Sequence, residues 1–172
     1  MLREIGRGGF GTVTKVKAKY TGLLRAAKTI KKSSLAKDEH EKLFAEMAIM
    51  MTLDHPHIAR LFEVYDYKSS YVLILELCEG GELFKMIVTK NTNEHIAALV
   101  TAQLLQVLMY LHAKGIVHRD IKPENMLFES GANTMKLIDF GIATKYSGKG
   151  PLTARIGTPY YIAPEVLCKH YS

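Results

Sequence analysis

The chain has 172 residues, 48% hydrophobic and 23% charged, a size that lets roughly 70% of the unfolded surface leave water and a balance that excludes a disordered chain or a fibre. Its 23 Lys and Arg outnumber 17 Asp and Glu for a net charge of +6, which favours nucleic acid, anionic lipid or a phosphorylated ligand; the lysines are scattered with no aromatic-interleaved stripe, which argues against nucleic acid, and a nucleotide is enough to explain some of the charge. Two cysteines without ligand spacing exclude a disulfide framework, and MLREIGRGGF lacks the apolar core of a signal peptide, so a cytoplasmic protein with reduced thiols and no transmembrane segment is expected.

Residues 2 to 30 read as strands punctuated by glycine. GRGGFG, Gly6 to Gly11, fits G-x-G-x-x-G through Gly6, Gly8 and Gly11, with Gly9 between. Alone, it fits an ordinary hairpin turn, a Rossmann turn that opens a helix, or a flap over phosphates between two antiparallel strands. The next residues, TVTKVKAK, are rich in β-branched side chains, and Lys15, Lys17 and Lys19 alternate with Val16 and Ala18. A strand therefore follows, with one wet face and one buried face, and the Rossmann reading fails.

LRAAKTI sets Lys28 inside an apolar strand. A strand-edge lysine is ordinarily solvated; the apolar neighbours argue instead for an inward amine that requires an anionic partner. Glu46 is the candidate. It lies in DEHEKLFAEMAIMMTL, Asp38 to Leu53, whose Leu43, Phe44, Met47, Ile49, Met50 and Leu53 recur at helical spacing behind an acidic first turn. Strands follow at Leu61 to Tyr67 and Tyr71 to Leu77. After Gly80-Gly81 the pattern turns helical, first from Glu82 to Val88 and then from Asn93 to Ala113, with Ile96, Leu99, Val100, Leu104, Val107, Leu108 and Leu111 on one side and Gly115 as the stop. The joint between the strand-rich and helical parts falls near Cys78 to Gly81, dividing the chain into residues 1–78 and 79–172.

HRDIKPEN, His118 to Asn125, follows a short apolar strand. Asp120 can accept a hydroxyl proton, Lys122 can offset charge on a transferring phosphoryl group, and Asn125 offers a neutral oxygen to a hard cation such as Mg²⁺. In LIDFG, Leu137 to Gly141, Asp139 ends a second short strand and can hold a second or shared Mg²⁺, and Gly141 lets the backbone turn.

GRGGFG, AAK with Lys28, Glu46, HRDIKPEN, DFG and APE at Ala163 to Glu165 occur in one order, and in that order the chain resembles the protein kinase family over essentially all its length. Lys122 is similar to serine/threonine kinases. EGGELF, LDHPHIARL and GTPYYIAPEVL look like the calcium/calmodulin-regulated branch, and YYIAPEVL most resembles the calcium-dependent kinases.

The resemblance implies an α+β, bilobal fold with an antiparallel sheet and one helix in the N-lobe and a truncated, mainly helical C-lobe. It implies ATP and Mg²⁺ as cofactors, with transfer of the γ-phosphoryl group to Ser or Thr. Gly6, Gly8, Gly9 and Gly11 would cover the phosphates, Val13 would lie on adenine, and the backbones of Glu76 and Cys78 would bond adenine behind Leu75. Lys28, paired with Glu46, would hold the α- and β-phosphates. Asp120 would be the base, Lys122 the charge stabiliser, and Asn125 and Asp139 the metal ligands. Glu82 and Glu124 would receive arginines upstream of the target hydroxyl, against the plainer reading of two exposed glutamates. Thr158 would belong to the substrate-facing loop, and Thr153 would be a candidate acceptor for activating phosphate, a modification that calcium-dependent kinases often do without. The partners implied are basic-motif protein substrates and a calcium-sensor region or calmodulin outside these residues, since no D-x-D-x-D-G loop occurs within the 172.

The family's D-x-W-S-x-G segment does not occur in the 172 residues, and Leu2 falls inside its first strand. The expectation is a piece of a longer kinase whose long helix lacks a packing partner. Large apolar side chains left in water at about 1.5–3 kcal/mol each rival a domain's whole stability, so the isolated chain is expected to be unstable. A cooperative melt would contradict this. The alternative is a short nucleotide-binding product that transfers no phosphate.

Overall fold

β-Branched and apolar runs build five strands: β1 (Arg3–Gly8), β2 (Gly11–Lys17), β3 (Leu24–Lys31), β4 (Leu61–Asp66) and β5 (Ser70–Leu75). In the computed structural model, which describes residues 3–8, 11–131 and 133–171, they form one antiparallel sheet in the order β1-β2-β3-β5-β4. The fold class is α+β, as expected. The chain divides into two compact units, Met1–Asp54 with Ala59–Cys78, and His55–Ile58 with Glu79–Ser172.

In the first unit, Ala26, Ala27, Ile30, Leu61 and Leu73 form the buried centre of the sheet. Helix α1 (Lys37–Met50) buries Leu43, Glu46, Met47, Ile49 and Met50. Its start is fixed by Glu39, whose carboxylate accepts the Ala36 N–H at 2.7 Å, one half of a capping box. The helix ends at Met50 rather than Leu53; Leu53 is buried beyond it, in the turn, so apolar spacing continued past the last helical bond. Phe44 is half exposed despite lying in the apolar pattern. β2 also departs from the expected alternation: Gly11 to Val16 are all half-buried. Lys15 is half-buried like its neighbours Thr14 and Val16, while Lys17 at the end of the strand is exposed. β5 stops at Leu75, short of the expected Leu77.

The second unit is assembled around α3 (Glu94–Ala113), following α2 (Leu83–Val88). Asn93 caps α3, its side-chain oxygen accepting the Ile96 N–H at 2.9 Å. Gly115, at φ +63°, ends the turn beyond it, where a Cβ would meet the Tyr146 carbonyl at 2.8 Å. By length and composition α3 could cross a membrane. Within the unit, however, its mid-helix Gln103 donates to Asn133 O and accepts from Met135 N–H, each at 2.7 Å, and Val107 and Leu111 are fully buried.

Short strands β6 (Ile116–Val117), β7 (Met126–Phe128), β8 (Met135–Leu137) and β9 (Thr144–Lys145) pair as β6 with β9 and β7 with β8. The segment His55–Ile58 belongs here because Leu137 N–H donates to His57 O at 2.8 Å. Phe128, Met135, Leu137 and Phe140 are completely buried. Gly80 fits against them only without a side chain: a Cβ would lie 2.6 Å from Phe128 Cβ and 2.5 Å from Gly131 O. Gly80→Ala is therefore expected to lower the unfolding midpoint, by the roughly 1–3 kcal/mol that overpacking costs, as a denaturant titration would read.

Candidate active site

In the first unit the geometry places Lys28 on β3 opposite Val13 of β2. Glu46, nearly buried on α1, stands 3.8 Å from the Lys28 ammonium. Gly8 and Gly11 face each other where β1 and β2 join, and Gly6 is opposite Val13. Gly11 must be glycine: an added Cβ would sit 2.1 Å from Thr29 O. Gly9 lies outside the described residues. After β5, Glu76 donates its N–H to Arg60 O at 2.9 Å and accepts the Arg60 N–H on its carboxylate at 3.1 Å. Cys78 is half-buried and forms no disulfide.

In the second unit, HRDIKPEN leaves β6 and folds back on itself. Arg119 takes φ +68°, a left-handed conformation that costs a non-glycine residue about 1–3 kcal/mol. Its guanidinium Nε donates to Ile142 O at 2.7 Å, which ties this loop to the residues after DFG. A turn at Pro123–Asn125 then brings Asn125 back, so its amide donates to both the backbone oxygen and the carboxylate of Asp120, each at 2.9 Å. Asn125 O in turn accepts the Ile138 N–H at 2.9 Å, setting Asp139 beside it. Asp139 is also left-handed, at φ +63°, with its carboxylate accepting the Gly141 N–H at 3.1 Å.

Asp120 is the hub. Its carboxylate lies 2.7 Å from the Lys122 ammonium and accepts the Thr158 hydroxyl at 2.6 Å, while Lys122 donates to Thr158 at 2.8 Å. Thr158, 38 residues downstream of Asp120, is thus brought into the same cluster. Burial by itself would raise the Asp120 pKa; the hydrogen bonds from Lys122, Thr158 and Asn125 outweigh it and hold the carboxyl below its usual range. The acid stays ionised, an acceptor at neutral pH.

The fit to Mg²⁺ rests on the oxygen donors. Because Asn125 spends its side-chain N–H groups on Asp120, its side-chain carbonyl oxygen is the end that would be left for a hard cation, with the Asp139 carboxylate as the second oxygen donor the motif supplies. Glu82 is exposed at the start of α2. Glu124 is half-buried, with Oε2 buried and without a hydrogen-bond partner among the described residues.

His118 has no role in the motif reading above. Its ring is 2% exposed, meets Phe140 edge-on at 4.8 Å and accepts the Asp120 N–H on Nδ1 at 3.2 Å. Burial, against the pull of Asp139, holds its pKa below the ordinary imidazole value. His55 is lowered in the same direction, by burial first and then by His57 and Lys136. Both rings are neutral when folded and take protons more readily when unfolded. Stability is therefore fully present above the unfolded histidine pKa of about 6.5 and is lost as pH falls through and below it. Asp120, depressed when folded, adds a second loss only below the usual carboxylate range. Urea midpoints level from about pH 8 to 7 and falling by about pH 5 are expected; a midpoint that rises on acidification would contradict this assignment.

Residues 1–172 match the family model described as Protein kinase domain. The chain is 42% identical over 171 residues to calcium-dependent protein kinase 5 of Plasmodium falciparum, covering 98% of this chain and 30% of that protein. It is 39% identical to calcium-dependent protein kinase 3 of Plasmodium yoelii yoelii, covering 97% and 31%. To calcium-dependent protein kinase 20 of Oryza sativa subsp. japonica it is 40% identical, covering 98% and 32%. The chain thus spans about 30% of the length of these relatives.

Proposed function

From a chain that belongs to the protein kinase family, we propose an ATP-dependent serine/threonine kinase activity of the calcium-dependent kinase type. The observation that carries the reading is the Asp120 carboxylate, ionised and oriented by Lys122, Thr158 and Asn125 at 2.6 to 2.9 Å. In this reading Asp120 orients the substrate hydroxyl and takes its proton as the oxygen attacks the γ-phosphorus, the bond from that phosphorus to the β–γ bridging oxygen breaks, and ADP leaves. Lys122 offsets the charge that develops on the transferring group. The flap glycines Gly6, Gly8, Gly9 and Gly11 cover the phosphates, Lys28 held by Glu46 contacts them, and Val13 with the Glu76 and Cys78 backbones receives adenine. Asn125 and Asp139 hold Mg²⁺, which when bound neutralises phosphate charge.

Peptide phosphorylation by the purified protein, read by mass spectrometry and lost in Asp139→Ala, is the test. Mg·ATP binding without transfer would favour the non-catalytic nucleotide-binding alternative.

The buried, unpartnered Oε2 of Glu124 supports a cationic substrate residue, because an isolated carboxylate oxygen out of water is costly. The proposed substrates carry Arg three residues before the target hydroxyl, with Glu82 as a second acid. Replacing that Arg with Ala is expected to lower kcat/KM roughly ten- to a hundredfold, the size of a charge-assisted hydrogen bond. Equal rates on the two peptides would remove the assignment.

A further inference from the structure

The Lys28–Glu46 pair joins a strand to a helix, and at 3.8 Å it is a loose contact that cannot fix the helix by itself. The buried face of α1 and further contacts to the sheet must set its rotation. A side chain that reaches α1 from the sheet is Tyr71 of β5. It is 6% exposed and lies opposite Ile30 of β3, one cross-strand step along the same sheet face from the Lys28–Leu73 pair.

Two residues of α1 meet its ring edge-on, His40 at 5.9 Å and Phe44 at 5.5 Å between centroids. The Tyr71 hydroxyl lies 3.3 Å from His40 Nδ1. On the other side Lys32, paired with Asp66, stands 4.5 Å over the ring. Phe44 is half exposed, so its place on the helix is explained by this ring contact better than by burial. At about 100° per residue, Glu46 stands roughly 120° around the helix axis from His40, so a rotation that released the His40 and Phe44 contacts would swing Glu46 off Lys28.

We infer that Tyr71 is a positioning residue: by gripping α1 through His40 and Phe44 it sets the rotation at which Glu46 meets Lys28. The inference deepens the kinase reading, on which the importance of that pair rests, but the pair itself can be probed without catalysis. Tyr71 touches no substrate atom and acts only through the helix.

The test is the rate at which Lys28 is acetylated by a brief pulse of an amine-reactive acetyl ester, read peptide by peptide, with half-buried Lys15 of the same unit as the folding control. A Lys28 side chain kept against nearly buried Glu46 is poorly reached by the ester and reacts slowly. Tyr71→Leu, which keeps an apolar side chain but removes the ring, is expected to speed Lys28 labelling roughly tenfold with Lys15 unchanged, a size typical of coupling between residues in one network. Tyr71→Phe, which keeps the ring, should return the rate to within about twofold of wild type. In a Glu46→Gln background Tyr71→Leu should add less than about twofold, because the two changes act on one pair.

An unchanged Lys28 rate in Tyr71→Leu overturns the inference, and so does an equal acceleration in the Glu46→Gln background. Parallel acceleration of Lys15 and Lys28 would also overturn it, showing a merely structural role. Peptide phosphorylation measured on the same samples separates the outcomes: labelling as expected without phosphoryl transfer keeps the Tyr71 assignment and sinks the kinase reading.

Discussion

Asp120→Asn is expected to lower kcat for peptide phosphorylation by roughly 10²–10⁴, the contribution of a positioned general base. The substituted amide is close to the same shape, so the loop held by the Asn125 backbone bond to Ile138 should survive. What disappears is the charge. Lys122, 2.7 Å away, loses its counter-ion, and the substrate hydroxyl loses its proton acceptor. Because Mg·ATP is assigned to other residues, its affinity should move little while kcat falls, and initial rates at varied ATP separate the two. A fall confined to KM would mean that Asp120 binds rather than catalyses.

Phe128→Ala should produce the largest loss of stability, about 3–5 kcal/mol, as expected when a fully buried aromatic leaves a cavity. The site cannot collapse easily. The Phe128 N–H donates to Gly81 O at 2.9 Å and its carbonyl accepts the Gly80 N–H at 2.9 Å, so the backbone beside the cavity is pinned. Against a usual total of about 5–15 kcal/mol, such a loss moves a large share of the population toward unfolding. A chemical-denaturation midpoint falling with an unchanged slope would bear it out; a change below about 1 kcal/mol would show that the neighbouring side chains close the space.

Much of the site was legible because its chemistry is local in sequence. Asp120, Lys122 and Asn125 lie within six residues, and Asp139 follows a short apolar strand; the turn at Pro123–Asn125 then folds what the motif spells out. The strands and helices were legible for a similar reason, since period two and period 3.6 record which side chains face a core. Boundaries were less so. Leu53 and Leu77 continue an apolar pattern beyond the ends of their elements, Leu53 buried in the turn after α1 and Leu77 half-buried after β5, because burial does not stop where the regular element does.

Contacts at long sequence separation were not legible. The order β1-β2-β3-β5-β4 sets Tyr71 across from Ile30, and only that register puts its ring against His40 and Phe44. Thr158 reaches Asp120 over 38 residues, and His118 is neutral because Phe140 and its surroundings exclude water from the ring. By itself the sequence determined residue types, local periods and the order of the motifs, and with them the family. The tertiary structure decided which side chains are desolvated and which meet, since burial and hydrogen-bond geometry depend on segments far apart in the chain.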